Sequence, residues 1–109
     1  RPEARGRSPY SPGIDTGDRV YLAGVTGRGS DAAEETRAAM ASITTTLASA
    51  SVDFEQVESV WVFLTDMDDW AAVRAELEAT LGDGAPAPTV IGTQLVGRSR
   101  VEIQLVLKR

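Results

Sequence analysis

The sequence contains no cysteine and no histidine, which excludes disulfides, thiolate nucleophiles, imidazole bases and the common zinc sites. Aromatic residues make up only 6% of it, and no apolar run approaches the ~20 residues of a membrane-spanning helix, so no membrane association is expected. Basic side chains are the minority, 11 against 16 acidic, and the net charge of -5 disfavours a nucleic-acid partner. No segment combines a charged start, an apolar centre and a small-residue cleavage site, so the default expectation is a cytoplasmic protein. Any catalysis falls to carboxylates, Tyr, Lys, Arg, hydroxyls or backbone groups.

What is present is ordinary for a globular chain: 42% hydrophobic and 25% charged residues over 109 positions, enough for one domain with a modest core. Residues 1–7 hold Arg1, Arg5 and Arg7 among Pro and Gly and read as a flexible leader, a solvated end rather than a nucleic-acid arm. Residues 8–109 read as the single domain.

Along that domain, Asp15-Thr16-Gly17-Asp18 is turn chemistry, and Arg19–Val25 reads as a strand ending in glycines. Asp31-Ala32-Ala33-Glu34 has the form of a capping box. The helix it opens puts Ala33, Thr36, Met40, Ile43, Leu47 and Ala50 on one stripe. Phe54 is expected to plug the core. Val60–Leu64 is apolar without alternation, the pattern of a strand covered on both faces. Carboxylates at Asp66, Asp68 and Asp69 start a second helix that Gly82 closes, with Trp70, Val73, Leu77 and Leu81 as its apolar stripe. The chain then reads as a hairpin, Thr89–Gly92 returning as Arg100–Leu107. Val101, Ile103, Leu105 and Leu107 share one face of its second strand; Glu102, Gln104 and Val106 share the other. This order predicts an α+β domain, a mixed sheet with two helices on one face, whose second face is covered by a neighbouring subunit.

Six stretches in order resemble the RidA family, also called YjgF/YER057c/UK114: Ser8-Pro9-Tyr10-Ser11, Tyr21–Gly24, Glu35-Thr36-Arg37, Val62–Trp70, Pro86-Ala87 with Thr89 and Gly92, and Val101-Glu102-Ile103. The resemblance covers Ser8 to Leu107. It implies a chorismate-mutase-like α+β fold, a homotrimer with clefts between subunits, hydrolysis of enamines and imines such as 2-aminoacrylate, and no metal or organic cofactor. It also implies a site in which Glu102 positions water and Tyr10 closes the cleft on a small-molecule substrate. Ala23 and Gly24, with Pro88, Thr89 and Val90, would line that site.

The departures matter as much. Where the deaminating members follow Pro-Ala with an Arg that grips the substrate carboxylate, this chain has Pro88, with neither charge nor backbone N–H. Losing such a pair costs about 2 to 5 kcal/mol of binding, which points away from the standard 2-imino acid. The family's Ser-Gly-Gln is Ala23-Gly24-Val25, and its Glu-Ile-Glu is Glu102-Ile103-Gln104.

Arg74 stands where many members carry a pocket-lining Asn. It is either a relocated anion anchor or a surface stem paired with Glu78 or Asp83. Glu102, likewise, is either a water-handling carboxylate or a structural strand residue paired with Arg100. Arg98 and Arg100 are further candidates for the missing charge.

The leading expectation is therefore a RidA-like hydrolase for an imine, enamine or related carbonyl metabolite other than 2-aminoacrylate. The alternative is a non-catalytic module that binds a small ligand or stabilises a partner, and ribonuclease activity ranks third because the acidic chain shows no basic groove.

Overall fold

A computed structural model describes residues 13–109, and all structural statements below concern that span. The leader and Tyr10 lie outside it. Five strands and two helices follow in the order β1 (Gly13–Asp15), β2 (Arg19–Leu22), α1 (Ala32–Ala50), β3 (Val57–Leu64), α2 (Trp70–Leu81), β4 (Thr89–Gly92) and β5 (Val101–Lys108). They form one mixed sheet ordered β1-β2-β5-β3-β4, in which only β3 and β4 run parallel.

Local chemistry explains the elements. The β1–β2 turn is set by Asp15, whose Oδ1 accepts the Gly17 amide at 2.8 Å, and by Gly17 at φ +93°. Asp31 caps α1 by accepting the Glu34 amide at 2.9 Å. The reciprocal half of the expected capping box is absent, because Glu34 turns to the amide and hydroxyl of Ser30 instead. At its other end α1 stops on Ser51 in the left-handed region, where the Ser51 and Val52 amides return to Ala48 and Leu47. The carboxylates before α2 form a separate 3-10 turn, Met67–Asp69, capped by Asp66, so the α-helix begins at Trp70.

Both helices cover one face of the sheet. Val101, Ile103, Leu105 and Leu107 of β5 are wholly buried there, with Val60, Val62 and Leu64 of β3, Met40, Ile43 and Leu47 of α1, and Val73 and Leu77 of α2. Phe54, Trp70 and Leu81 pack at the margin of this core. The buried stripe of α1 also includes Ala32, Glu35 and Ala39, while Ala33 and Ala50 lie at its edge.

Two sequence-based expectations are corrected. β4 and β5 are not a hairpin: β4 lies parallel to β3, and β5 pairs antiparallel with the opposite side of β3. Residues 93–100 are long enough to carry the chain over β3, so strands adjacent in sequence are not adjacent in the sheet. Arg19–Val25 is not continuous: the ladder with β5 stops after Leu22 and resumes at one bridge, Val25 to Ile103. Within a single chain β3 is covered on one face only, which leaves its other face free for the neighbouring subunit expected there. Trp61 is 37% exposed and Phe63 half-buried, because their register partners, Gln104 and Glu102 of β5 and Thr89 and Ile91 of β4, bear no helix.

Candidate functional site

The face of the sheet opposite the helices is unusually apolar for a surface. Register puts Ile14 beside Tyr21, Tyr21 beside Val106, and Trp61 and Phe63 between β5 and β4. Tyr21 is 44% and Ile91 37% exposed. Contiguous patches of this kind mark surfaces that bind something.

Glu102 sits within that face. Alternation on β5 forces it there: with Val101 and Ile103 committed to the core, the residue between them must point the other way. Its carboxylate is half-buried and lies against Gly24, where a Cβ would come within 2.7 Å of Cδ and collide with Oε2. Glycine at 24 is thus the space the carboxylate occupies. The backbone makes that space with a bulge. Between the pairs Tyr21–Val106 and Val25–Ile103, the three residues Leu22, Ala23 and Gly24 oppose only Gln104 and Leu105, and the Val25 and Ile103 amides close the far side at 2.8 Å each.

The structural partner considered for Glu102 is engaged elsewhere. Arg100 directs its guanidinium to Glu35, which also accepts the Arg100 amide at 2.8 Å. Among the described residues, no side-chain hydrogen bond or ion pair reaches Glu102. Glu35, only 3% exposed, is a buried acid that periodicity did not single out; its pair with Arg100 pins the start of β5 to α1.

Arg74, Pro88 and Val90 meet at a different place. They line a cavity of about 430 Å³ on the helix side of the sheet, walled by Val60, Trp70, Leu77 and Leu81 and by the 82–88 loop. Of the two roles considered for Arg74, the structure matches the surface stem paired with Glu78. One residue past Val73 it has rotated to the helix edge; it is exposed and pairs with Glu78 at 3.6 Å. Thr89 points to the open face beside Trp61. One protomer therefore separates the candidates: Glu102, Gly24 and Thr89 belong to the open face, with Ala23 in the bulge beside it, and Arg74, Pro88 and Val90 to the helix-side cavity.

The surrounding ion pairs are structural. Arg19 grips Glu58 through two nitrogens at 2.6 and 3.1 Å, Arg37 joins α1 to Glu76 of α2 at 2.8 Å, and Arg109 holds Asp15. Hydrogen bonds from these guanidinium groups hold the Glu58, Glu76 and Asp15 carboxyls below their ordinary values, and the Ser30 amide and hydroxyl do the same for Glu34. Among the described residues no helix is long and apolar enough to cross a membrane.

Comparison with known proteins agrees with this architecture. The family model described as endoribonuclease L-PSP matches residues 1–108. No curated protein matches the chain. Among solved structures, a YjgF/YER057c/UK114 family member from Mycobacterium tuberculosis is similar at 27% identity and TM-score 0.88, covering 98% of this chain and 92% of the other. A YjgF family protein from Neisseria meningitidis is similar at 29% identity and TM-score 0.88, over 95% and 91%. RidA from an Antarctic Psychrobacter shares the fold at 23% identity and TM-score 0.88, over 94% and 89%. With the five-stranded mixed sheet, the two helices on one face and a family match over nearly its whole length, the chain belongs to the RidA (YjgF/YER057c/UK114) family.

Proposed function

We propose that the open face is closed by neighbouring copies of the chain in a homotrimer, and that Glu102 lies in the resulting cleft as the water-handling group of an imine or enamine hydrolase. The carrying observation is the carboxylate itself: half-buried in an apolar face, seated over a glycine-lined bulge, and without a protein partner among the described residues. A carboxylate so placed is suited to orient water and accept its proton. Water oxygen bonds to the carbon of the protonated imine while one water proton passes to Glu102 and the C=N π pair moves to nitrogen, giving a neutral carbinolamine. Glu102 returns that proton to the nitrogen, the carbon–nitrogen bond breaks with its pair leaving on ammonia, and the oxygen forms the carbonyl as its own proton passes to the carboxylate or solvent. An enamine enters the same sequence after protonation at carbon. Thr89 on the open face and Tyr10 would orient the ligand.

The resemblance puts Pro88 where deaminating members carry the Arg that grips the substrate carboxylate, so the preferred substrate is a small cytoplasmic imine or enamine without the usual amino-acid carboxylate. The test is a panel of imines generated in situ, with and without a carboxylate, followed by release of ammonia and carbonyl product. Uncharged imines should turn over faster than 2-aminoacrylate, and Glu102→Gln should lower the rate about 100-fold or more. Gly24→Ala, which pushes the carboxylate aside, should mimic that loss with the fold intact. Rapid hydrolysis of 2-aminoacrylate that ignores Glu102→Ala would sink the reading.

The helix-side cavity supports a second reading, a non-catalytic module that binds a small ligand there, since its walls are mainly apolar and of ligand size. A compound that raises the melting temperature equally in the native chain and in Glu102→Ala, and not in Leu77→Trp, would favour it.

A further inference from the structure

Seven arginines lie among the described residues, and five of them have a carboxylate partner: Arg19 with Glu58, Arg37 with Glu76, Arg74 with Glu78, Arg100 with Glu35 and Arg109 with Asp15. In a chain with 16 acidic residues such pairing is easily arranged. Among the described residues Arg28 and Arg98 have no such partner, and these two line the same concavity. It has a volume of about 540 Å³, with Gly27, Arg28 and Gly29 on one side and Arg98, Ser99 and Arg100 on the other. The single carboxylate that lines it, Glu35, is already neutralised by the guanidinium and amide of Arg100. Among the described residues the amides of Gly27, Arg28, Gly29, Arg98 and Ser99 donate to no protein acceptor. No apolar side chain lines the space beyond the Arg stems.

We propose that this concavity is a binding site for a compact phosphate-type dianion, held by Arg28 and Arg98. Two guanidinium forks match two charges on a tetrahedral oxyanion, and loop amides and the Ser99 hydroxyl supply further donors. A concave basic site on a protein of net negative charge also focuses small anions while the surrounding acidic surface repels a long polyanion. The site shares no lining residue with the Glu102 face or the helix-side cavity, and it does not rest on the hydrolase reading.

The experiment is a titration of the intact, isotopically labelled protein with inorganic phosphate at constant ionic strength, followed through backbone amide shifts. The expected result is saturable shifts confined to Gly27–Gly29 and Arg98–Arg100. Arg28→Gln and Arg98→Gln, both at exposed positions, should each weaken binding about tenfold or more. Arg37→Gln, which breaks only the Glu76 pair, should leave it unchanged. Malonate is the competing arm: weaker binding than phosphate supports the assignment, and equal binding overturns it. Shifts that do not saturate, that spread to Arg19 and Arg37, or that survive both glutamine variants overturn the site.

Discussion

The two faces of β5 belong to the same eight residues yet live under different rules. On the helix side Val101, Ile103, Leu105 and Leu107 are sealed, and any apolar residue of the right volume would serve. On the open side Glu102, Gln104 and Val106 are only half-buried and lie among Trp61, Phe63 and Tyr21. The first face explains why the chain folds. The second contains an acid that folding does not require and aromatic surface that a lone protomer does not hide.

The strongest way to break the contrast is to attack the sealed face. Ile103→Ala removes a wholly buried side chain and should cost about 2 to 5 kcal/mol, read as a lower urea midpoint. If it costs no more than an alanine at Val106, the two faces are not different in kind. Next is the clamp at the head of β5. Glu35→Ala strips the acceptor from the Arg100 amide and guanidinium, and because Arg100 is itself partly exposed the loss should be about 2 kcal/mol in the same measurement.

The open face is sharpened by Trp61→Glu. It should leave the far-ultraviolet circular dichroism and urea slope of the protomer unchanged while weakening self-association about tenfold or more by sedimentation. A variant that assembles as the parent does would remove the case for a neighbour on this face. The smallest effect is acid sensitivity. Hydrogen bonds hold the Glu34, Glu58, Glu76 and Asp15 carboxyls below their ordinary values, so their contribution is complete above the unfolded values and fades as pH falls through the lower folded ones. Thermal stability should therefore be flat above about pH 5 and decline below about pH 4, less steeply in Arg37→Gln, whose Glu76 partner is already lost.

Much of the helix-side architecture was legible in the sequence because it rests on short-range signals: the Asp31 cap, Gly17 in its turn, the stripe through Met40, Ile43 and Leu47, and the alternation that isolates Glu102. What was not legible depends on strand order. The parallel pairing of β4 with β3 leaves no local trace, so two neighbouring strand patterns passed for a hairpin. The same ordering places Pro88 and Arg74 on one side of the sheet and Glu102 on the other. Glu35 was legible as part of the resemblance but not as a buried acid, because an acid on an apolar stripe looks like a register error until its distant partner, Arg100, is known. The cavity of Arg28 and Arg98 had one local hint, an arginine between two glycines, but the second half comes from a turn 70 residues later.

The position of β5 also has a consequence for how the molecule is made. It is the latest of the five strands in chain order, yet it is the one that joins β1-β2 to β3-β4. Until it emerges from the ribosome, the two earlier ladders have no shared hydrogen bonds, and the apolar residues that will cover β5 face water. Assembly of the sheet is thus an insertion rather than an accretion, in which the last strand slides between two waiting edges. A stalled or truncated chain lacking β5 would present both edges at once, making the nascent protein most prone to aggregate just before β5 emerges.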